Sequence, residues 1–430
     1  MASIIVCSFA LRYLTPEGRP PTTLFDQLWS WFSVLWLSAL LPGTVGLVGT
    51  LLYCHPTTLD REQAINRTIC WRIVTAGKNI GIVLSTVRRC QREMAKTPLA
   101  PYIIEIVMDD GDSVCLLPTD DVDVRTIIVP NDYKTPNHSR FKARALHYAL
   151  FHSTIPETCW IVHLDEETQP TPSAIKGICE FIRQEEQSRA LRMGQGAILY
   201  HREWETHPFP TLADNVRTGD DFARFYFQHR LGITLFGLHG SFVVIRNDVE
   251  KATGGFDFGP QGDITEDAFW AVKGMQSGLR SAWVEGYLEE QSCMSLMDFL
   301  RQRRRWFQGL LKVSWHAPVK LRWRICLGFN TMLWGLAPFA TMYTFGNLCY
   351  HVVINPIIAL LACYSLGSFS TLYIVGLKAN MDEHGVFDRR TRAMLTFLQI
   401  VLLPVYSTME SLAVLWAMLT PVKGFQVVKK

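Results

Sequence analysis

Two stretches, residues 28–54 and 325–377, contain no Asp, Glu, Lys or Arg. This feature limits the fold more than any other. A hydrocarbon core is crossed by about 20 consecutive apolar residues in a helix. The first stretch suffices for one crossing and the second for two, with a turn expected between Asn347 and Pro356. A third run, residues 393–422, carries only Glu410 and has Pro404 inside it, so it reads as one long or broken helix. Four membrane segments are expected around a polar middle. The residues before 28 are polar and lack a compact basic segment, unlike a cleavable signal. Glu410 reads either as a functional intramembrane carboxylate or as one packed against protein.

Apolar residues make up 48% of the chain, and the net charge of +3 is too small to point to a general polyanion or nucleic-acid partner. The eleven cysteines are scattered, odd in number and without a CxxC pair, which argues against a disulfide framework or a structural zinc site. Lys312, Lys320, Arg322 and Arg324 flank a crossing on the side of the middle region, which places that region in the cytosol by the positive-inside rule. On that reading the sequons at Asn66 and Asn137 are accidental. The three lysines of the tail ask for the cytosol too, whereas four crossings would put the tail opposite the middle region. The side of the tail stays open.

The middle region, residues 69–291, alternates short apolar strands with helical stretches. Strands are expected at 71–75, 103–108, 126–129 and 160–164, and helices at about 76–96, 141–152 and 172–187. Such alternation implies a mostly parallel sheet with helices on both faces, an α/β domain. Ligands of these sheets bind beyond the carboxyl ends of the strands. Two strands end there in acids, at Asp109 and at Asp165-Glu166-Glu167. Alternate residues past a strand end share a direction, so Asp165 and Glu167 could share one divalent cation. Carboxylate oxygens suit Mg²⁺ or Mn²⁺, with phosphate and water completing the shell. The bland alternative is an acidic turn.

Three further segments carry possible chemistry. In Asp263-Ile264-Thr265-Glu266-Asp267, the pair Asp263 and Glu266 has capping-box spacing, which leaves Asp267 as a candidate general base. In Gln302-Arg303-Arg304-Arg305-Trp306, helical spacing gathers Gln302, Arg305 and Trp306 on one face. A guanidinium suits a diphosphate and an indole suits a sugar face. Arg301 and Arg303 read instead as facing lipid head groups. In Leu238-His239-Gly240-Ser241-Phe242, Gly240 either admits a ligand close to the backbone or marks a strand edge. His239 reads as structural.

The order of these motifs, a strand-end Asp, Asp-Glu-Glu, Thr-Glu-Asp and Gln-x-x-Arg-Trp before membrane helices, resembles the processive-synthase branch of family 2 glycosyltransferases. It is closer still to the egghead-type β-1,4-mannosyltransferases, on Arg72-Ile73-Val74-Thr75, Phe141-Lys142-Ala143-Arg144-Ala145-Leu146, the segment from Trp160 to Thr168, residues 296–306 and the ending Phe425-Gln426-Val427-Val428-Lys429-Lys430. The Asp-Glu-Glu form departs from Asp-x-Asp, and Ala76 stands where a basic residue is expected. The resemblance implies a GT-A-like domain and an integral endomembrane protein of the ER or Golgi. It implies transfer of mannose from GDP-mannose to a membrane glycolipid such as glucosylceramide, with inversion. A processive synthase using a UDP-sugar is the alternative, and an inactive membrane scaffold is the third.

It also implies roles. Asp109 and Lys142 would serve the donor, Asp165 and Glu167 the Mn²⁺ or Mg²⁺ ion, and Asp267 the acceptor hydroxyl as base. Arg305 would bind the diphosphate. Gln302, Trp306, Gly240 and Ser241 would position acceptor or leaving group. The expected organisation is a segment 1–27, a membrane helix 28–54, the transferase domain 69–291, basic interfacial helices 292–324, about three membrane segments in 325–422 and a tail 423–430.

Overall fold

The computed structural model describes residues 18–53, 63–109, 123–202, 204, 206–385 and 388–421. The ending 425–430 lies outside them.

Seven strands form one sheet: β1 (Ile69–Thr75), β2 (Tyr102–Met108), β3 (Val124–Ile128), β4 (Trp160–Asp165), β5 (Met193–Leu199), β6 (Val243–Arg246) and β7 (Ser281–Glu289). Their order is β3-β2-β1-β4-β6-β5-β7. All neighbours run parallel except β6, which is antiparallel to both β4 and β5. The sheet is therefore mostly parallel, as the alternation implied. Helices Ile80–Lys96 and Pro172–Ser188 cover one face with Val83, Val87, Met94, Ile175, Ile178 and Ile182. Helices Phe141–His152 and Glu266–Gln276 cover the other with Leu146, Ala149, Trp270 and Met275. Central strands buried on both faces account for the continuous apolar runs. Arg72 is the exception within β1, and it is neutralised inside the sheet by Glu105 at 2.8 Å.

Four helices are long and apolar enough to cross a membrane: Leu24–Leu52, Leu321–Cys349, Pro356–His384 and Arg389–Leu419. Pro404 lies inside an uninterrupted helix, and the turn between the second and third falls at residues 350–355, where it was expected. All eight described cysteines are free thiols.

The sheet domain is docked onto these helices by a segment that sequence reading left unassigned. Helix Pro208–Asp220 continues through a π-turn, Asp221–Phe225, into Tyr226–Arg230. It meets Pro356–His384 backbone to backbone. A Cβ on Gly376 would lie 1.8 Å from the Asn215 carbonyl oxygen, and one on Gly219 would lie 1.9 Å from that of Leu372. Only glycine permits this approach. Asn380 donates to Asn215 Oδ1 at 2.7 Å, and Asn215 donates to Gln399 Oε1 at 2.7 Å. The amides of Asn215 and Asn380 are thereby paired where water is excluded.

Arg389–Leu419 lies along the domain over much of its length. Gln399 meets Asn215, Tyr406 meets Phe209, Glu410 meets Arg303, and Thr420 accepts from Arg304. Glu410 thus packs against protein. The expectation that Arg303 faces lipid is overturned: its side chain is 2% exposed and paired to Asp214 and Glu410. Arg304 is buried too, donating to Thr420 and the Pro421 carbonyl. Arg301, paired with Asp298, remains largely exposed.

Candidate functional site

The carboxyl ends of β1, β2 and β4 meet the start of helices Phe141–His152 and Glu266–Gln276 at one mouth. A cavity of about 1290 Å³ opens there and runs on between the apolar helices. Asp109, Lys142, Asp165, Glu167, Gly240, Ser241, Asp267, Gln302, Arg305 and Trp306 all line it. The structure therefore gathers every site residue named from sequence, although they come from six separate segments.

Within Asp165-Glu166-Glu167 the three acids divide. Glu166 turns back to β1, accepting from Thr75 Oγ1 at 2.6 Å and from Asn79 Nδ2 at 2.7 Å. Asp165 and Glu167 remain on the cavity wall. Ser241 is buried, and its oxygen accepts the Asp165 backbone N–H at 2.9 Å and meets Thr168 Oγ1 at 3.0 Å. It anchors the strand end more directly than it meets a ligand. Among the described residues no group of three or more His, Cys, Asp or Glu could hold a metal ion. Asp165 and Glu167 are two carboxylates on this wall, the ligand type that a hard cation takes alongside phosphate oxygens and water.

Lys142 brings a cation to the acids of this mouth. Its Nζ donates to Asp165 Oδ1 at 2.5 Å and to the Gly240 carbonyl at 3.1 Å, and Glu266 Oε1 lies 3.4 Å away. Burial works against its charged form, but Asp165 and Glu266 outweigh it and hold the ammonium above its ordinary range. Phe141 beside it has φ +55°, a left-handed conformation uncommon for a bulky residue. Backbone strain of this kind clusters at functional sites.

The expected capping box does not form. The helix starts at Glu266 behind Thr265, without a side-chain cap. Asp263 instead accepts from the Arg140 backbone N–H at 2.8 Å and from Arg140 Nε at 2.7 Å. Glu266 faces Lys142. Asp267 accepts from Ala268 N–H at 2.7 Å. Burial and then Glu266 push its carboxyl up to about 7, with Lys142 opposing. That value suits a general base near neutral pH.

Asp109 accepts from Arg144 Nε at 3.0 Å. Ala76 lines the cavity, and so does Lys78 two residues on, which brings basic charge to the region where the expected basic residue is missing. His239 lines the cavity as well, 2.6 Å from Asp221 Oδ1 in the π-turn. Burial lowers its affinity for a proton, but Asp221 outweighs that and raises it. Sequence reading missed Asp221, Arg217 and Glu290, all near the cavity. Only the π-turn brings Asp221 there, and no local pattern marks it.

The profile of glycosyl transferase family group 2 matches residues 160–377. The β-1,4-mannosyltransferase egh of Drosophila melanogaster is 31% identical over 427 residues, covering 97% of this chain and 89% of that protein. The β-1,4-mannosyltransferase bre-3 of Caenorhabditis elegans is 31% identical over 397 residues, covering 90% and 83%. Among solved structures, the mannosyltransferase PcManGT from Pyrobaculum calidifontis, in complex with GDP-Man and Mn²⁺, aligns at a TM-score of 0.48. It is 13% identical, over 91% of this chain and 99% of that one.

Proposed function

Because the chain belongs to family 2 of the glycosyltransferases, we propose that it transfers one mannose from GDP-mannose to a membrane glycolipid such as glucosylceramide, forming a β-linkage with inversion. The relatives' names support the sugar and the linkage. The observation that carries the lipid acceptor is the cavity itself. It joins Asp165 and Asp267 to walls from the apolar helices, including Trp36, Phe345, Leu366 and Phe369. An acceptor held there would keep its hydrocarbon among apolar side chains and its sugar at the carboxylates.

Asp109 contacts the nucleoside in this reading, and Lys142 sits beside the donor. Asp165 and Glu167 would hold the divalent cation, which would supply positive charge to the diphosphate. Arg305 and Gln302 bind that diphosphate as it leaves, and Trp306 walls the acceptor sugar. Asp267 takes the proton of the acceptor hydroxyl. The hydroxyl oxygen then bonds to the anomeric carbon as the carbon–oxygen bond to the diphosphate breaks, and GDP departs with those electrons. One displacement without a second nucleophile turns an α-linked donor into a β-linked product. The domain works on the cytosolic face of an endomembrane.

A panel of GDP- and UDP-sugars supplied to membranes, with mass analysis of the lipid fraction, tests this. A short glycolipid formed from GDP-mannose, lost with chelator and restored by Mn²⁺ or Mg²⁺, is the expected result. A long polymer from a UDP-sugar would overturn the lipid reading in favour of a processive synthase. Full activity in chelator would remove the role given to Asp165 and Glu167.

A further inference from the structure

Two guanidinium groups that the chemistry above does not use, one buried and one nearly so, lie over the Trp306 ring. Arg217 Cζ is 4.8 Å from the centre of the indole ring and Arg303 Cζ is 4.5 Å from it. Each is held by carboxylates from other elements. Arg217 pairs with Glu290, just past β7, at 3.5 Å and also lies 4.1 Å over the Tyr200 ring. Arg303 pairs with Asp214 of the docking helix at 2.8 Å and with Glu410 of the last apolar helix at 2.6 Å, and donates to Gln302 Oε1 at 2.7 Å.

Burying charged pairs is costly, and apolar side chains of similar volume often pack at least as well. These pairs also lie at the cavity. Arg217, Glu290, Gln302, Arg303, Trp306 and Glu410 all line it. A cation over an indole face is attracted by the ring quadrupole, and more strongly where water is excluded. Two cations fixed in place therefore restrict the tilt of the ring.

We propose that Arg217 and Arg303 set the pose of the Trp306 indole for the acceptor sugar, and that Glu410 is a positioning residue that holds Arg303 in that arrangement. This rests on the assignment of Trp306 to the acceptor. It gives the last apolar helix a part in the site, because the partner that orients Arg303 arrives on that helix.

The test uses the full-length protein in detergent with GDP-mannose and glucosylceramide. Glu410→Gln keeps the shape and removes the charge, so the acceptor KM should rise about tenfold, the scale of a desolvated cation–π contact. The donor KM and kcat should stay within about twofold, since uniform acceptor binding is what is lost. Glu410→Asp should restore most of the acceptor affinity. In a Trp306→Phe background, Glu410→Gln should add less than about twofold, because the two changes act through one contact. The same tenfold rise in that background, or an unchanged acceptor KM in Glu410→Gln, would overturn the proposal. A merely structural role for Glu410 would lower kcat and both affinities together, in Glu410→Asp as in Glu410→Gln, and would also overturn it. Wild-type protein that leaves glucosylceramide unmodified would instead contradict the proposed function, and the same cycle would then be run on the acceptor found with the donor panel.

Discussion

Gly240 faces Lys142 so closely that a Cβ on residue 240 would lie 2.8 Å from the ammonium nitrogen. The same Cβ would reach Asp267 Oδ2 at 3.5 Å and Asp165 Oδ2 at 3.6 Å, both ordinary contacts. Lysine has a flexible end, so Gly240→Ala should leave the fold intact and displace Nζ from Asp165. Misplacing a group by about 1 Å at a reacting centre costs on the order of 100-fold in rate. Transfer by Gly240→Ala should fall on that scale, with an unchanged melting temperature. Wild-type turnover would show that the Lys142 position is immaterial.

Asp267 must be ionised to take a proton, and its carboxyl lies at about 7. A carboxyl raised in this way loses its proton only as pH climbs, so kcat/KM should increase through about 7 and level off above it. Lys142 lowers that value, so Lys142→Met should move the rising limb to higher pH. A pH–rate profile of both proteins checks the sign. A limb that moves downward would contradict the placement of Lys142 beside this base.

The docking of the sheet domain onto helix Pro356–His384 depends on a missing side chain. In Gly376→Ala the new methyl would meet the Asn215 carbonyl oxygen at 1.8 Å and the Gly219 nitrogen at 2.7 Å. Overpacking of this kind costs about 1–3 kcal/mol. Thermal unfolding in detergent should show a clear drop in Tm. Gly81→Ala, at a helical position with nothing within 4 Å, should show none.

What the sequence made legible is what local pattern encodes. Asp109 and Asp165 stood out because each closes an apolar strand run, and the long apolar runs marked the four helices long enough to cross a membrane. Readings that depended on distant partners failed. Asp263 looked like a cap through its spacing from Glu266, but Arg140, 123 residues away, claims its carboxylate. Arg303 looked lipid-facing within a basic run, but Asp214 and Glu410, 89 and 107 residues away, neutralise it. The docking helix Pro208–Asp220 escaped notice because its polar residues find partners far along the chain: Asn215 meets Gln399 and Asn380, and Asp214 meets Arg303.

Arg304 yields a prediction for the end of the last helix, whose side charge and span counting leave undecided. This residue, on the helix that carries Gln302 and Trp306, holds Thr420 and the Pro421 carbonyl at 2.8 and 3.0 Å. The chain should therefore leave its last helix on the side of the sheet domain, with Arg389–Leu419 lying along that domain rather than making a fourth crossing. In sealed vesicles, a C-terminal tag and an epitope in the sheet domain should be reached from the same side. Access from opposite sides would contradict this placement.

The central claim is that Asp267 at this cavity activates a lipid-borne hydroxyl toward a nucleotide-linked mannose. Its most direct measurement is the transfer of one hexose from GDP-mannose to glucosylceramide in the presence of Mn²⁺, read by mass spectrometry for wild type and Asp267→Asn. The expected result is a product one hexose heavier with wild type and a rate about 100- to 10,000-fold lower with the variant, the usual contribution of a general base, at unchanged affinity for the donor. Equal rates for the two proteins would contradict it.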